Sequence, residues 1–76
     1  MKDLALFLLK SLVQNPEAIV LDERTEGEKI YLTTKLTPED KGRVIGKDGC
    51  IIKAIRTVLN AAGLKHGKKV YLKIED

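Results

Sequence analysis

The sequence predicts an α+β fold in the order αββααβ, a three-stranded mixed sheet covered on one face by three helices. Three observations point there. Lys29 to Leu36 and Val70 to Glu75 alternate apolar and polar residues with the period of a half-buried strand. Leu4 to Val13 and Cys50 to Ala62 repeat apolar residues at helical spacing. Two helical stretches separate the last two strands, which makes a crossover connection, whereas a short turn joins the first two as a hairpin.

The elements follow in order. Asp3 is placed to cap a first helix that runs to about Val13, and Asn15-Pro16 stops it. Its run of apolar residues is too short to span a bilayer and Lys10 interrupts it. Asp3 offsets Lys2, and the run ends at Asn15-Pro16 rather than at a small-residue cleavage site, so it reads as a helix of the mature fold. Ala18 to Arg24, with Ile19, Val20 and Leu21 together, is a strand. Thr25 to Glu28 is a turn in which Gly27 is available for positive φ. The next strand sets Ile30, Leu32, Thr34 and Leu36 on one face and Tyr31, Thr33 and Lys35 on the other. Thr37 caps the second helix, Pro38 takes its first position, and Asp40 is expected to reach back as the capping-box acid. This helix ends near Ile45, where Gly46-Lys47-Asp48-Gly49 breaks it. The third helix spans Cys50 to Ala62, with Gly63 as a stop in the left-handed conformation. The last strand turns Val70, Leu72 and Ile74 inward, so the open face of the sheet carries Tyr31, Thr33, Lys35, Tyr71 and Lys73.

Size and composition narrow the function. A chain of 76 residues makes one domain, and one that buries only about 60% of its unfolded surface has no room for a deep enclosed pocket. Net charge is +3, which permits a polyanionic partner. One cysteine and one histidine exclude an internal disulfide and a Cys/His metal cluster, and suit a reducing interior. No carboxylates are paired, no Ser/His/Asp set occurs, and no phosphate loop ends in G-K-[ST]; an enzyme is not expected, nor any cofactor. Cys50 stands at a helix start, where a thiol can be activated. With no general base near it, it reads as a small, partly buried side chain. Lys65, Lys68 and Lys69 form a second basic cluster around His66, which reads as a solvated face.

The informative segment runs from Gly42 to Ile52. Two glycines three apart, Gly46 and Gly49, join one helix to the start of the next. Their missing Cβ atoms let a nucleic-acid backbone come close. The following helix aims free N–H groups and its positive dipole end at the same place, which favours phosphate. Lys47 at the tip adds a cation; Arg43, Lys53 and Arg56 line the approach, and Ile45 and Ile52 offer an apolar floor. A plain helix-helix turn would need neither the lysine nor the basic approach.

Val44-Ile45-Gly46-Lys47-Asp48-Gly49-Cys50-Ile51-Ile52 resembles the signature of the KH domain, whose G-x-x-G loop clamps about four nucleotides of single strand. The element order resembles the type II arrangement. Including Asn15-Pro16-Glu17-Ala18 and Lys53 to Val58, residues 1–76 resemble the KhpA family of single-KH bacterial proteins. The resemblance implies a single KH domain that binds single-stranded RNA in the cytoplasm, as a chaperone or post-transcriptional regulator. It further implies self-association, or pairing with a KhpB-like partner. Carried over by residue, the clamp falls on Gly46, Lys47, Asp48 and Gly49, and the groove on Gly42, Arg43, Ile45, Ile52, Lys53 and Arg56. Two residues depart from the pattern: Asp48 sets a negative charge beside the expected phosphate, and Cys50 stands where relatives often carry a basic residue. The wide apolar helices suggest a dimer seam on Ala54, Val58 and Ala61 or on Leu6 and Phe7. They also motivate an alternative, a protein-interaction module whose KH loop is vestigial.

Overall fold

The computed structural model describes residues 1–75. Helix α1 (Lys2–Lys10) is followed by a 3₁₀ turn (Pro16–Ala18), strands β1 (Val20–Glu26) and β2 (Lys29–Lys35), helices α2 (Pro38–Ile45) and α3 (Cys50–Leu64), and strand β3 (Lys69–Glu75). The sheet order is β1-β2-β3, with β1 antiparallel and β3 parallel to β2. This is the expected αββααβ order and mixed sheet.

The alternation read from the strands sets the layers. Leu21, Ile30, Leu32, Val70 and Leu72 are buried against the helices. They meet Ala5 and Leu9 of α1, Val44 of α2, and Ile52, Ile55 and Leu59 of α3. Thr34 shares that inner face fully buried, and its hydroxyl donates to the Val20 carbonyl at 2.9 Å, so no polar group is stranded there. Outward residues form rows across the three strands: Arg24, Tyr31 and Tyr71 in one, Asp22, Thr33 and Lys73 in the next. β1 and β2 are joined through Gly27-Glu28, with Gly27 at φ 58°. Glycine at the first position of a two-residue turn matches the strand twist.

Several boundaries differ from expectation. Asp3 lies in the first turn of α1, two residues past the cap position held by Met1, so it favours the helix dipole without capping it. The cap comes from the sheet instead: the Lys2 N–H donates to Glu23 Oε2 at 3.1 Å. α1 stops at Lys10 rather than near Val13, because the chain tightens there through the Leu12 N–H to Leu9 carbonyl bond. Ala18 belongs to the 3₁₀ turn that Pro16 opens, and β1 starts two residues later. β2 ends at Lys35, leaving Leu36 outside it.

Asp40 is the largest departure within the helices. Thr37 caps α2 as expected, its Oγ1 accepting the Asp40 N–H at 3.2 Å. The Asp40 carboxylate does not reach back to complete a capping box. It accepts the Gln14 N–H at 3.0 Å, the Asn15 N–H at 3.0 Å and the Asn15 Nδ2 at 3.2 Å. The two backbone donors lie in the segment that follows α1, outside its helical bonding, and a buried carboxylate accepts them both. The Gln14 N–H holds the Asp40 carboxyl below its ordinary pKa; burial opposes this, and the Asn15 and Thr37 donors reinforce it. Because the folded value lies below the unfolded one, the stabilisation is complete above the ordinary aspartate range. It is lost as pH falls through that range toward the folded value. Asp40→Ala is expected to lower the melting temperature by about 10 °C at neutral pH, since two backbone N–H groups lose their acceptor. Asp40→Asn should flatten the loss of stability below about pH 4. Thermal melts at a series of pH values check both, and an unchanged acid limb in Asp40→Asn would refute the assignment.

Gly63 is not the left-handed stop of α3. It lies inside the helix and is buried. A Cβ there would sit 2.8 Å from the Lys68 carbonyl oxygen and 2.8 Å from Val70 Cγ2. The stop is Gly67, at φ 67°. The Lys68 N–H bonds the Gly63 carbonyl at 2.9 Å and the Gly67 N–H bonds the Leu64 carbonyl at 3.1 Å, the paired bonds of a Schellman motif.

Candidate nucleic-acid interface

Three of the four residues in the loop between α2 and α3 hold backbone conformations that L-residues seldom share. Gly46 has φ 72° and ψ 179°, Asp48 φ 58° and ψ 23°, and Gly49 φ 75° and ψ 15°. Among the described residues, Asp48 is the one non-glycine with positive φ. Aspartate is one of the few residues that tolerate the left-handed region, so its presence at the tip has a backbone reason. Gly46 is required twice, because its φ is positive and a Cβ would lie 2.7 Å from Ile51 Cγ1. At Gly49 the space is open enough for ordinary contact, and the conformation alone calls for glycine.

The predicted site residues gather around this loop in part. Lys47 and Asp48 are exposed at its tip. Lys53 folds back toward it, with Cε 3.9 Å from where a Gly49 Cβ would be. Arg43 and Gly42 lie on the exposed side of α2, and nothing stands within 4 Å of a Gly42 Cβ position. Ile45 is half-buried beside the loop, whereas Ile52 is a core residue with 6% exposure. The apolar floor therefore rests on Ile45 at its accessible part. Cys50 is exposed rather than partly buried, because it occupies the outer side of the first turn of α3.

Arg56 lies farther along α3, at the free edge of the sheet. Its Nε donates to the Leu72 carbonyl at 3.3 Å. Asn60, one turn on, accepts the Val70 N–H through Oδ1 at 3.2 Å. The Lys69 N–H bonds Glu28 on the inner side, so strand alternation turns the backbone groups of Val70, Leu72 and Ile74 outward. Arg56 and Asn60 satisfy two of these groups and frame a recess of about 380 Å³ with Lys69 to Leu72. Asn60 was not among the predicted residues. Its helical spacing from Arg56 is the signal, but only the β3 register reveals what it meets.

A loop of two glycines around a basic tip, the start of a long helix behind it and an open strand edge beside it together define a KH domain of the type II order. Comparison with known proteins agrees. The family model described as KhpA/KhpB, KH domain, matches residues 2–74. The RNA-binding protein KhpA of Clostridium perfringens is 50% identical over 74 residues, covering 97% of this chain and 99% of the relative. The RNA-binding protein KhpA of Clostridium acetobutylicum is 47% identical with the same coverage. That of Listeria monocytogenes is 42% identical, covering 97% of each. Among solved structures, Era in complex with MgGDPNP and nucleotides 1506–1542 of 16S ribosomal RNA superposes with a TM-score of 0.62 at 18% identity. The match covers 96% of this chain and 28% of that one, and shows the shared fold. The chain belongs to the KhpA/KhpB KH-domain family. That family is one of RNA-binding modules and not of enzymes.

Proposed function

We propose that residues 1–76 act as a single KH domain that binds single-stranded RNA in the cytoplasm, as a chaperone or post-transcriptional regulator. The observation that carries this is the Gly46 to Gly49 loop, with positive φ at Gly46, Asp48 and Gly49 and Lys47 exposed at the tip. Backbone phosphates rest against the loop and the first turn of α3, near Lys47 and Lys53. Bases lie between α2 and the β3 edge, read by the outward backbone groups of Leu72 and Ile74 and by Asn60 and Arg56. The relatives, RNA-binding proteins at 42–50% identity, support the same reading.

Gly42 offers a clean test. Nothing in the fold needs its missing Cβ, and alanine is better in a helix interior by about 1 kcal/mol. Gly42→Ala is expected to raise the melting temperature by about 5 °C while weakening RNA binding severalfold, because the added methyl stands where RNA approaches. Fluorescent single-stranded RNA, titrated at low and at physiological salt, reads the affinity. Wild-type binding should weaken as salt rises. Absence of binding even at low salt would refute the clamp.

The second reading is a protein-interaction module, working as a homodimer or with a KhpB-like partner. Phe7 is 67% exposed and Leu64 73%, and Ala54, Val58 and Ala61 form an exposed stripe on α3. Leu6, the other seam candidate, is half-buried. The two readings are compatible, since a dimer presents two clamps to one RNA and gains by avidity.

A further inference from the structure

The open face of the sheet holds an arrangement that the clamp does not use. Arg24, Tyr31 and Tyr71 occupy one row across β1, β2 and β3. The Arg24 guanidinium lies 5.1 Å from the Tyr31 ring centroid. The Tyr31 and Tyr71 rings stack at 5.3 Å with 17° between their planes. The row follows the strand spacing of about 4.8 Å, so each member covers one face of the next. β3 is the edge strand, and the outer face of Tyr71 has no protein group stacked on it among the described residues. Tyr71 is 45% exposed. It borders the same edge recess that Arg56 and Asn60 frame.

We infer that Tyr71 is a base-stacking platform that extends the RNA path beyond the clamp and around the β3 edge, a proposal that rests on the RNA-binding reading above. A nucleobase on Tyr71 becomes the fourth member of the stack, in the place a next strand would fill. Arg24 and Tyr31 hold the tyrosine from behind, so little side-chain freedom is lost on binding. Lys69 and Lys73 flank Tyr71 on the same face, each about 7 Å along the strand, and are placed to meet the adjoining phosphates. Neither has an ion-pair partner among the described residues, whereas Lys35 is paired with Glu75 at 3.6 Å. The acids Asp22 and Glu26 lie on β1, away from this edge. The outward residues of β3 are Lys69, Tyr71, Lys73 and Glu75, with no aliphatic side chain to seed a protein interface. That composition favours a polyanion with flat bases over a second copy of the chain.

RNA length separates this platform from the clamp, which is filled by about four nucleotides. The experiment compares four- and ten-nucleotide RNAs of the same 5′ sequence, using fluorescence titration and the ring-proton NMR signals of Tyr31 and Tyr71, the two tyrosines of the chain. Tyr71→Val should weaken ten-nucleotide binding by about tenfold and leave four-nucleotide binding unchanged. Tyr71→Phe should restore it, which excludes a folding defect. The Tyr71 ring signals should shift with the longer RNA only. Equal affinity of Tyr71→Val and wild type for the longer RNA would overturn the platform. So would an equal loss for both lengths, or tyrosine shifts that follow protein concentration rather than RNA. If the clamp alone fails, four-nucleotide RNA will not bind while the longer RNA still shifts Tyr71; if no RNA binds, both ideas fall.

Discussion

Gly63→Ala is expected to lower the melting temperature by roughly 10 °C, although alanine is the better helix former. The new methyl would stand 2.8 Å from the Lys68 carbonyl oxygen and 2.8 Å from Val70 Cγ2. Neither neighbour can retreat cheaply. The Lys68 N–H is bonded to the Gly63 carbonyl at 2.9 Å, the Lys69 N–H to the Glu28 carbonyl at 2.8 Å, and Val70 is buried in the core. Overpacking of this kind costs about 3 kcal/mol. Helix propensity returns about 1 kcal/mol. The net loss of about 2 kcal/mol corresponds to the stated shift in a domain of this size. Gly42→Ala is the internal control: the same substitution in the other glycine-bearing helix, where a Cβ meets nothing, should move the melt the opposite way. Far-ultraviolet circular dichroism melts of the two variants decide the matter. A Gly63→Ala protein that melts at or above wild type would show that the α3–β3 approach is looser than described.

The same glycine shows why part of the fold was legible in the sequence and part was not. Strand alternation is a local signal, and it placed Ile30, Leu32, Val70 and Leu72 inward and Tyr31 and Tyr71 outward. The Gly46 to Gly49 loop was legible because its glycines answer to local backbone conformation. Gly63 and Gly67 are both plausible stops for α3 by propensity. What separates them is tertiary: β3 crosses close above Gly63, and its Cβ is excluded by that strand. Asp40 is a similar case. Three residues after Thr37 it fits a capping box, but its partners lie 25 and 26 residues earlier, where α1 has ended. Two partly buried N–H groups compete better for a carboxylate than one N–H at a helix start. At the candidate site, Arg56 was placed near the loop by its charge, and the β3 register puts it at the strand edge instead. Side chains whose partners lie on another element are the ones that pattern alone misplaces.

Reversing the charge at the loop tip should have the largest effect on RNA binding. Lys47→Asp is expected to weaken binding to single-stranded RNA about 30-fold, since a charge-assisted bond to phosphate is lost and a second acid is added beside Asp48. The loss should be similar for all RNA sequences, and the salt dependence should become shallower by about one unit in slope. Fold stability should stay close to wild type, because Lys47 is exposed and, among the described residues, no hydrogen bond or ion pair of its side chain holds the loop. Asp48→Asn tests the opposite sign at the neighbouring residue. Asparagine also tolerates the left-handed conformation that Asp48 adopts at φ 58°, so the backbone is preserved while a negative charge is removed. A like charge about 6 Å from a phosphate in a water-exposed site costs less than 1 kcal/mol, so affinity should rise about threefold at low salt. The gain should shrink at physiological salt. Fluorescence titration of both variants at two salt concentrations measures all four numbers. Unchanged binding by Lys47→Asp would make the loop a structural turn. Weaker binding by Asp48→Asn would instead make the carboxylate an acceptor for a base or a ribose hydroxyl, and the aspartate would then be at the tip for recognition as well as for its backbone.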